Sequence, residues 1–398
     1  MRSPTAYSIA GYAEMIRCEP RTSAYAEALR QAITPGCTVI DIGAGSGFFS
    51  LLACQYGAGS VIAVEPNDVI ELLLGAAAAN GFRNRITVHK CLSTEISNNV
   101  KADVLISDIR GCLPLFEGHI SAISDARQRL LKPNGRLIPA CDSLFAAIVN
   151  HSATSRNYEE PWLSNKFEID LTTSHRYAVN EWRKVNLRAE DLLSEPELLG
   201  VLDYRTIREA NFAANVNLVI DRPGLAQGLA VWFDCELFPG IGFSNAPGAP
   251  ELIYGQAFFP LEHGIPVSSG DQIEIEIRAD LIEGSYVWSW NTRVGNRRSS
   301  APDITYRQSS FLAKVLSPGK LARRSNHYVP PALATHMVDR YCLSLFDGRR
   351  TLGEIANALA AEFPNLFNGG PSALNHVVEL AERYPQARTD SDMFKSET

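Results

Sequence analysis

Three glycines at alternate positions, Gly43, Gly45 and Gly47, follow an apolar run that starts at Val39 and is interrupted by Asp41. A helical pattern begins at Phe48. Strand, tight turn and helix N-terminus in that order let backbone N–H groups approach a ligand closely. The next apolar run, Ser60 to Val64, ends on Glu65. That is about 20 residues beyond the glycines, where an open α/β sheet places the carboxylate that holds a ribose diol. A dinucleotide, a nucleotide or S-adenosylmethionine could occupy such a turn.

Three details separate these ligands. Asp41 precedes the first glycine, whereas the dinucleotide fingerprint opens straight from an apolar strand. The spacing is G-x-G-x-G, not G-x-G-x-x-G. No Lys-Ser/Thr pair follows, which excludes a phosphate-cradling P-loop. The D-x-G-x-G-x-G turn with an acidic strand end resembles the cofactor site of class I S-adenosylmethionine-dependent methyltransferases. That resemblance assigns Asp41, Gly43, Gly45, Gly47 and Glu65 to the cofactor.

These residues need a scaffold, and the chain of 398 residues is long enough for two or three domains. Helical patterns over residues 1–35 lead into alternating strands and helices up to about 140, the rhythm of a doubly wound, Rossmann-like parallel sheet. The strand-like segments are Cys37–Asp41, Ser60–Glu65, Ile86–His89, Ala102–Ser107 and Arg136–Pro139. After 140 the pattern becomes short strands separated by turns, with one helical stretch expected at Glu190–Gly200, so residues 141–320 read as an antiparallel sandwich or β-barrel. Trp288 and Trp290, two apart on a strand, read as barrel core. Past Pro330-Pro331, residues 330–385 hold three short helices, one opened by a capping box at Thr351–Glu354. Residues 386–398 read as a disordered tail.

Composition narrows the function. The formal net charge is −7 and there is no basic cluster beyond short pairs such as Arg297-Arg298 and Arg323-Arg324, so nucleic acid is not the expected partner. No apolar run reaches the length of a membrane span. The N-terminus has no signal-peptide pattern. The eight cysteines are scattered, without C-x-x-C or Cys/His clusters, which suits free thiols in a reducing cytoplasm and no metal.

A methyltransferase sheet followed by a β-barrel resembles the protein arginine methyltransferase family, and the likeness spans roughly residues 7–295. The loop Ser107-Asp-Ile-Arg-Gly-Cys-Leu-Pro-Leu-Phe-Glu117 matches the family's paired-carboxylate loop, with Asp108 and Glu117 nine positions apart. Two carboxylates grip a guanidinium in a fork geometry, keep electron density on the attacking nitrogen and hold it in line with the methyl donor. Glu14–Tyr25 resembles the helix that covers the cofactor, which would bring Arg21 to the methionine carboxylate. Leu92 and Ser93 fall where the family lines the adenine pocket. Tyr7 and Tyr12 fall near aromatics that close over the cofactor or acceptor. The segments Leu229–Glu236, Gly242–Pro247 and Gly255–Phe259 match the barrel, and 151–190 would be the arm through which members dimerise.

Three departures mark the acceptor side. The first acid is Asp108, one methylene shorter than Glu. Arg110 stands beside it, able to neutralise a carboxylate or to meet an acceptor carboxylate. The family's Thr-His-Trp segment falls at Leu252-Ile253-Tyr254, which replaces its His by Ile253 and puts Tyr254 on the acceptor wall. His119 is either exposed or functional. Residues 341–356 resemble small winged-helix modules of the PqqD-like type, which bind leader segments of ribosomal peptides. A helical bundle fits the same pattern. Together these features predict N-methylation of a guanidinium or similar nitrogen in a peptide or small amino-acid metabolite. A leader-bearing precursor peptide is one such acceptor. Transfer to oxygen or imidazole in a natural-product pathway is the first alternative. A non-catalytic S-adenosylmethionine-binding protein is the second.

Overall fold

A computed structural model describes residues 7–384 except 98, 166, 296–303, 332–333 and 368–369. The expected tail and the Arg297-Arg298 pair therefore lie outside the described residues. The chain divides into two compact units, one up to Val315 and one from Leu316.

The first unit opens with helices α1 (Ile9–Arg17) and α2 (Glu19–Ala32). Ser8 caps α1 by accepting the Gly11 N–H at 3.1 Å. Along α2, Arg21, Tyr25, Ala28, Leu29 and Ala32 recur at helical spacing and are buried as one face. Five strands then form a parallel sheet: β1 (Thr38–Ile42), β2 (Ser60–Val64), β3 (Ile86–His89), β4 (Ala102–Ser107) and β5 (Leu131–Ile138). Their order is β3-β2-β1-β4-β5. β1, β2 and β4 are largely apolar and buried because helices such as α3 (Phe48–Gln55), α4 (Glu71–Ala79) and α5 (His119–Arg129) cover the sheet, whereas the edge strand β5 is polar and exposed over Lys132–Asn134. The order reverses between β1 and β4. At such a switch point the loops leaving adjacent strand ends diverge and open a crevice. The glycine turn, Glu65, Leu92 and Asp108 all leave those strand ends.

Two antiparallel sheets follow and close on one core as a β-barrel. The first contains β6 (Cys141–Val149), β7 (Arg183–Val185), β8 (Glu197–Asp203), β10 (Gly224–Phe238) with its hairpin partner β11 (Ile241–Ser244), and β12 (Gln256–Val267). The second contains β9 (Phe212–Val219), β13 (Gln272–Ile282), β14 (Ser285–Gly295) and β15 (Ile304–Ser309). Period-two alternation buries Ile273, Ile275 and Ile277 along β13 while Glu274, Glu276 and Arg278 stay outside. Trp288 and Trp290 pack in this core, and Trp290 donates its ring N–H to the Pro260 carbonyl at 2.8 Å.

The helix expected at Glu190–Gly200 does not form. A single 3₁₀ turn at Ala189–Asp191 is followed by β8, which pairs with β6. The strand buries Leu199 and Leu202 in the main hydrophobic core, and this tertiary gain outweighs local propensity. Residues 152–163 and 172–178 of the expected arm are short helical segments.

The second unit contains helices at Ala334–Ser344, Leu352–Glu362 and Gly370–Arg383 around a core that includes Cys342, Ile355, Leu359 and Val377. Thr351 caps the middle helix through the expected reciprocal box with Glu354. The described residues of this unit carry no strand, so the wing of a winged-helix module is not present among them.

Candidate active site

The crevice at the strand ends is a cavity of about 710 Å³. Its wall combines α1 (Tyr12, Met15), the turn after β1 (Gly43, Gly45), the ends of β2 and β3 (Glu65, Leu92, Ser93), the 108–118 loop, and the barrel residues Trp182, Lys184, Ile253 and Tyr254. Asp108 and Glu117 thus open into the same space as the glycine turn.

On the sheet side the backbone decides the geometry. Gly45 sits at φ +55°, and a Cβ there would lie 2.6 Å from the Tyr12 ring. A Cβ on Gly43, at φ +70°, would lie 2.7 Å from Ile109. Only glycine allows both the left-handed turn and this close approach. The Glu65 carboxylate is 6% exposed and accepts the Gly45 N–H at 3.1 Å and the Asn67 side-chain N–H at 2.7 Å. Two predicted residues stand behind this wall. Asp41 is buried under the turn and accepts the Ser50 hydroxyl at 2.7 Å, and Gly47 packs on Leu73. Burial, only partly offset by Ser50, pushes the Asp41 carboxyl up to about 7. Asp41 therefore supports the turn from below rather than lining the cavity. Leu92 and Ser93 do line it, and the Leu92 N–H is held by Glu95 at 2.8 Å.

The barrel side is built from charges. The Arg21 guanidinium donates through Nε to Asp108 Oδ2 at 2.7 Å and forms a closer Nη contact with the same oxygen. The Tyr254 hydroxyl donates to Asp108 at 2.8 Å, and Arg110 Nε reaches Asp108 Oδ1 at 3.1 Å. Burial works to raise the Asp108 carboxyl, but Arg21, Arg110 and Tyr254 overcome it and hold the group down at about 2. Asp108 is thus ionised with both oxygens engaged. The Arg110 side chain has 0% exposure and bonds Asp142, Tyr25 and Cys235 as well. It takes the neutralising role and offers no surface to an acceptor. His119 is neither exposed nor in the cavity wall. It is fully buried, with Nε2 3.2 Å from the Tyr204 hydroxyl, and burial lowers its ring to about 3.

Glu117 is partly exposed at the far side of the loop, with φ +42°. A left-handed backbone at a non-glycine residue is held only where the surroundings over-determine it, and such positions concentrate at functional sites. Tyr7, 46% exposed, meets Tyr12 edge-to-face with ring centres 6.0 Å apart. Burial raises the Tyr12 hydroxyl to about 12, helped by Glu65.

The comparisons with known proteins bear on both halves. A profile described as "Ribosomal protein L11 methyltransferase (PrmA)" matches residues 19–140, and one described as "Arginine methyltransferase oligomerization subdomain" matches 142–285. Protein arginine N-methyltransferase 6 of Xenopus tropicalis is 30% identical over 277 residues, covering 65% of this chain and 80% of the relative. The chain belongs to the protein arginine N-methyltransferase family. It is an S-adenosylmethionine-dependent methyltransferase, which sets aside the non-catalytic reading. An arginine N(omega)-methyltransferase of Streptomyces achromogenes subsp. streptozoticus is 28% identical over 268 residues, covering 66% of this chain and 74% of that one. Among solved structures, the Trypanosoma brucei PRMT1 enzyme–prozyme heterotetrameric complex with AdoHcy has the same fold. It aligns at a TM-score of 0.69 and 21% identity over 76% of this chain and 98% of that one.

The cofactor fits this methyltransferase on its own geometry, because the glycine turn, free of side chains at Gly43 and Gly45, lines one wall of the cavity and the Glu65 carboxylate stands beside it. When bound, S-adenosylmethionine supplies a methyl group on a positively charged sulfur. The wall also holds residues that the sequence did not single out, notably Met15, Asn67, Ile109, Trp182 and Lys184. Trp182 and Lys184 arrive with β7, which pairs with β12 between Val185 and Gln256. Its period-two alternation was the available signal, but three residues are too short a strand to read. No group of metal-ligating side chains occurs among the described residues, and no described helix is long and apolar enough to cross a membrane.

Proposed function

We propose that this methyltransferase transfers the methyl group to a guanidinium or similar nitrogen of a peptide or small amino-acid metabolite. The carrying observation is that Asp108 and Glu117 open into one cavity with the glycine turn and Glu65. Glu117 accepts the guanidinium N–H groups and keeps the attacking nitrogen electron-rich. Asp108, clamped in its ionised form, adds negative potential beside it. Arg21, Asp41, Gly43, Gly45, Gly47, Glu65, Leu92 and Ser93 hold or support the cofactor, while Tyr12 and Tyr254 border the acceptor. The test is mass spectrometry after incubation with the donor and either L-arginine or an arginine-containing peptide. A gain of one methyl unit is expected, falling at least about 100-fold in Glu117→Gln as the charged contact and orientation are lost. An unchanged rate in that variant would defeat the reading.

A second acceptor class is supported by the saturation of Asp108. With both its oxygens already engaged by Arg21, Arg110 and Tyr254, Asp108 does not fork a guanidinium, which also suits an oxygen or imidazole acceptor. Methylation of a hydroxyl or histidine compound in the absence of arginine methylation decides for it.

Two assembly readings accompany this. The exposed apolar side chains Tyr158, Trp162, Ile169 and Leu171 support a homodimer through the 151–190 arm, measured by sedimentation. The 330–385 module, through its PqqD-like resemblance, binds the leader of a precursor peptide. Removing the chain from Leu316 onward should then raise KM for a leader-bearing acceptor and leave L-arginine turnover unchanged. None of the eight cysteines forms a disulfide, in keeping with a reducing cytoplasm.

A further inference from the structure

Behind the acceptor wall runs a chain of buried polar side chains that contact neither cofactor nor acceptor. Arg110 donates through Nη1 to Asp142 Oδ1 at 2.8 Å, and both side chains have 0% exposure. The Tyr204 hydroxyl donates to the other oxygen of Asp142 and lies 3.2 Å from His119 Nε2. Arg110 is two residues after Asp108, and His119 is two residues after Glu117. The carboxylate loop, which has no regular secondary structure between β4 and α5, is therefore tied at both ends to one residue of β6.

We propose that Asp142 and Arg110 are positioning residues that fix the spacing of Asp108 and Glu117 by anchoring both ends of their loop to the barrel. This rests on the reading of the two carboxylates as the acceptor site. A buried ion pair is often matched or bettered by apolar residues of the same volume, so stability alone is a weak reason for the arrangement. The geometry does give one guanidinium two carboxylates to bridge. Phe233 and Phe243 enclose it, with ring centres 5.6 and 5.4 Å away, so it cannot swing toward the cavity. His119 Nδ1 has no partner in this buried site, so the ring is held by its contact with Tyr204 rather than by a network of its own.

The groups that face Asp108 are Arg21 and Tyr25 from α2, Arg110 from its own loop and Tyr254 and Asp142 from the barrel. His119 from α5, Asp41 from β1 and Tyr7 complete the set. Only Arg21 and Arg110 are permanent cations, so loss of Arg110 removes one of two charges that keep Asp108 ionised.

The test compares Arg110→Met and Asp142→Ala with the double variant R110M/D142A. Each single variant strands a buried charge and should lower the melting temperature. The double variant removes both charges and should melt closer to the wild type than either single variant, yet its kcat should fall at least about tenfold with L-arginine or an arginine peptide. The Asp108 carboxyl should titrate higher than in the wild type, by less than in Arg110→Met alone because the double variant also removes the negative charge of Asp142. Carbon-13 NMR of the Asp108 carboxyl reads the same shift without turnover, so it judges the anchor even if neither acceptor is methylated, an outcome that would count against the acceptor reading alone. Tyr204→Phe, close in shape, cuts the second tie and should lower kcat severalfold, with a melting temperature lowered by the lost hydrogen bond to buried Asp142. A double variant with wild-type kcat and an Asp108 that titrates as in the wild type would overturn the proposal.

Discussion

Asp41 and Asp108 lie on, or just beyond, neighbouring strands of one sheet, both almost wholly buried, and they are driven in opposite directions. Asp41 has a single hydroxyl partner, and burial pushes it up to about 7. Asp108 has two guanidinium groups and a phenol, and they hold it down at about 2. The first carboxyl supports a turn made by backbone. The second is part of a charge cluster whose members come from α2, the 108–118 loop and the barrel. The cofactor half of the cavity is thus a local construction, and the acceptor half a long-range one. Substitutions can test whether the halves are as separable as this implies.

The largest effect is expected in the local half. Gly45→Val places a Cβ 2.6 Å from the Tyr12 ring at φ +55°, where a β-branched residue is strongly disfavoured. Its N–H contact with Glu65 would be lost as the turn shifts. Strain of about 3 kcal/mol corresponds to a loss of about 100-fold in S-adenosylmethionine affinity by calorimetry. An affinity within a few-fold of wild type would show that the turn does not shape the cofactor half.

How much could be read in advance follows the same divide. The glycine turn and Glu65 were legible because their spacing is set by one strand–turn–helix unit of some 25 residues. The parallel sheet, most of the barrel strands and the capping box at Thr351 were legible through periodicity and local pairing rules. The neutralising role of Arg110 beside Asp108 was legible too, but its tie to Asp142 and the burial of His119 were not. Arg110 and Asp142 are 32 positions apart, and Tyr254 and Asp108 are 146 apart, so their meeting depends on how the barrel docks on the sheet. A resemblance could place Asp108 and Glu117 in a loop, but it could not show that both oxygens of Asp108 are already taken. The false helix at Glu190–Gly200 failed for a related reason, since pairing of β8 with β6 is invisible to a local pattern.

A smaller effect, confined to the long-range half, is expected from Tyr254→Phe. The ring still packs on Phe233 and Phe243, but Asp108 and Arg21 lose a hydroxyl at 2.8 and 2.9 Å. A hydrogen bond to a charged group contributes about 1.5–3 kcal/mol, so kcat should fall about tenfold. S-adenosylmethionine affinity should move by less than about threefold, because the glycine turn and Glu65 are untouched and Arg21 keeps its contacts with Asp108. Equal losses in both quantities would mean that the two halves act as one unit.

The subtlest prediction returns to the two aspartates, because their linkage to stability has opposite signs. Asp41 is protonated in the folded chain up to about pH 7 but ionises near pH 4 when unfolded. The folded state therefore binds the extra proton between these limits, and stability falls as pH rises from about 4 to about 7. Asp108 behaves in reverse. Its contribution is complete above the unfolded value near 4 and is lost only as pH drops toward 2. Asp41→Asn replaces the protonated acid by a neutral amide that can still accept the Ser50 hydroxyl, so it should flatten the urea midpoint between pH 5 and 7 while leaving the acid limb below pH 4 in place. If the wild-type midpoint already fails to decline across pH 5 to 7, Asp41 is ionised in the folded protein, and the contrast between a neutral support under the cofactor and a clamped charge beside the acceptor collapses.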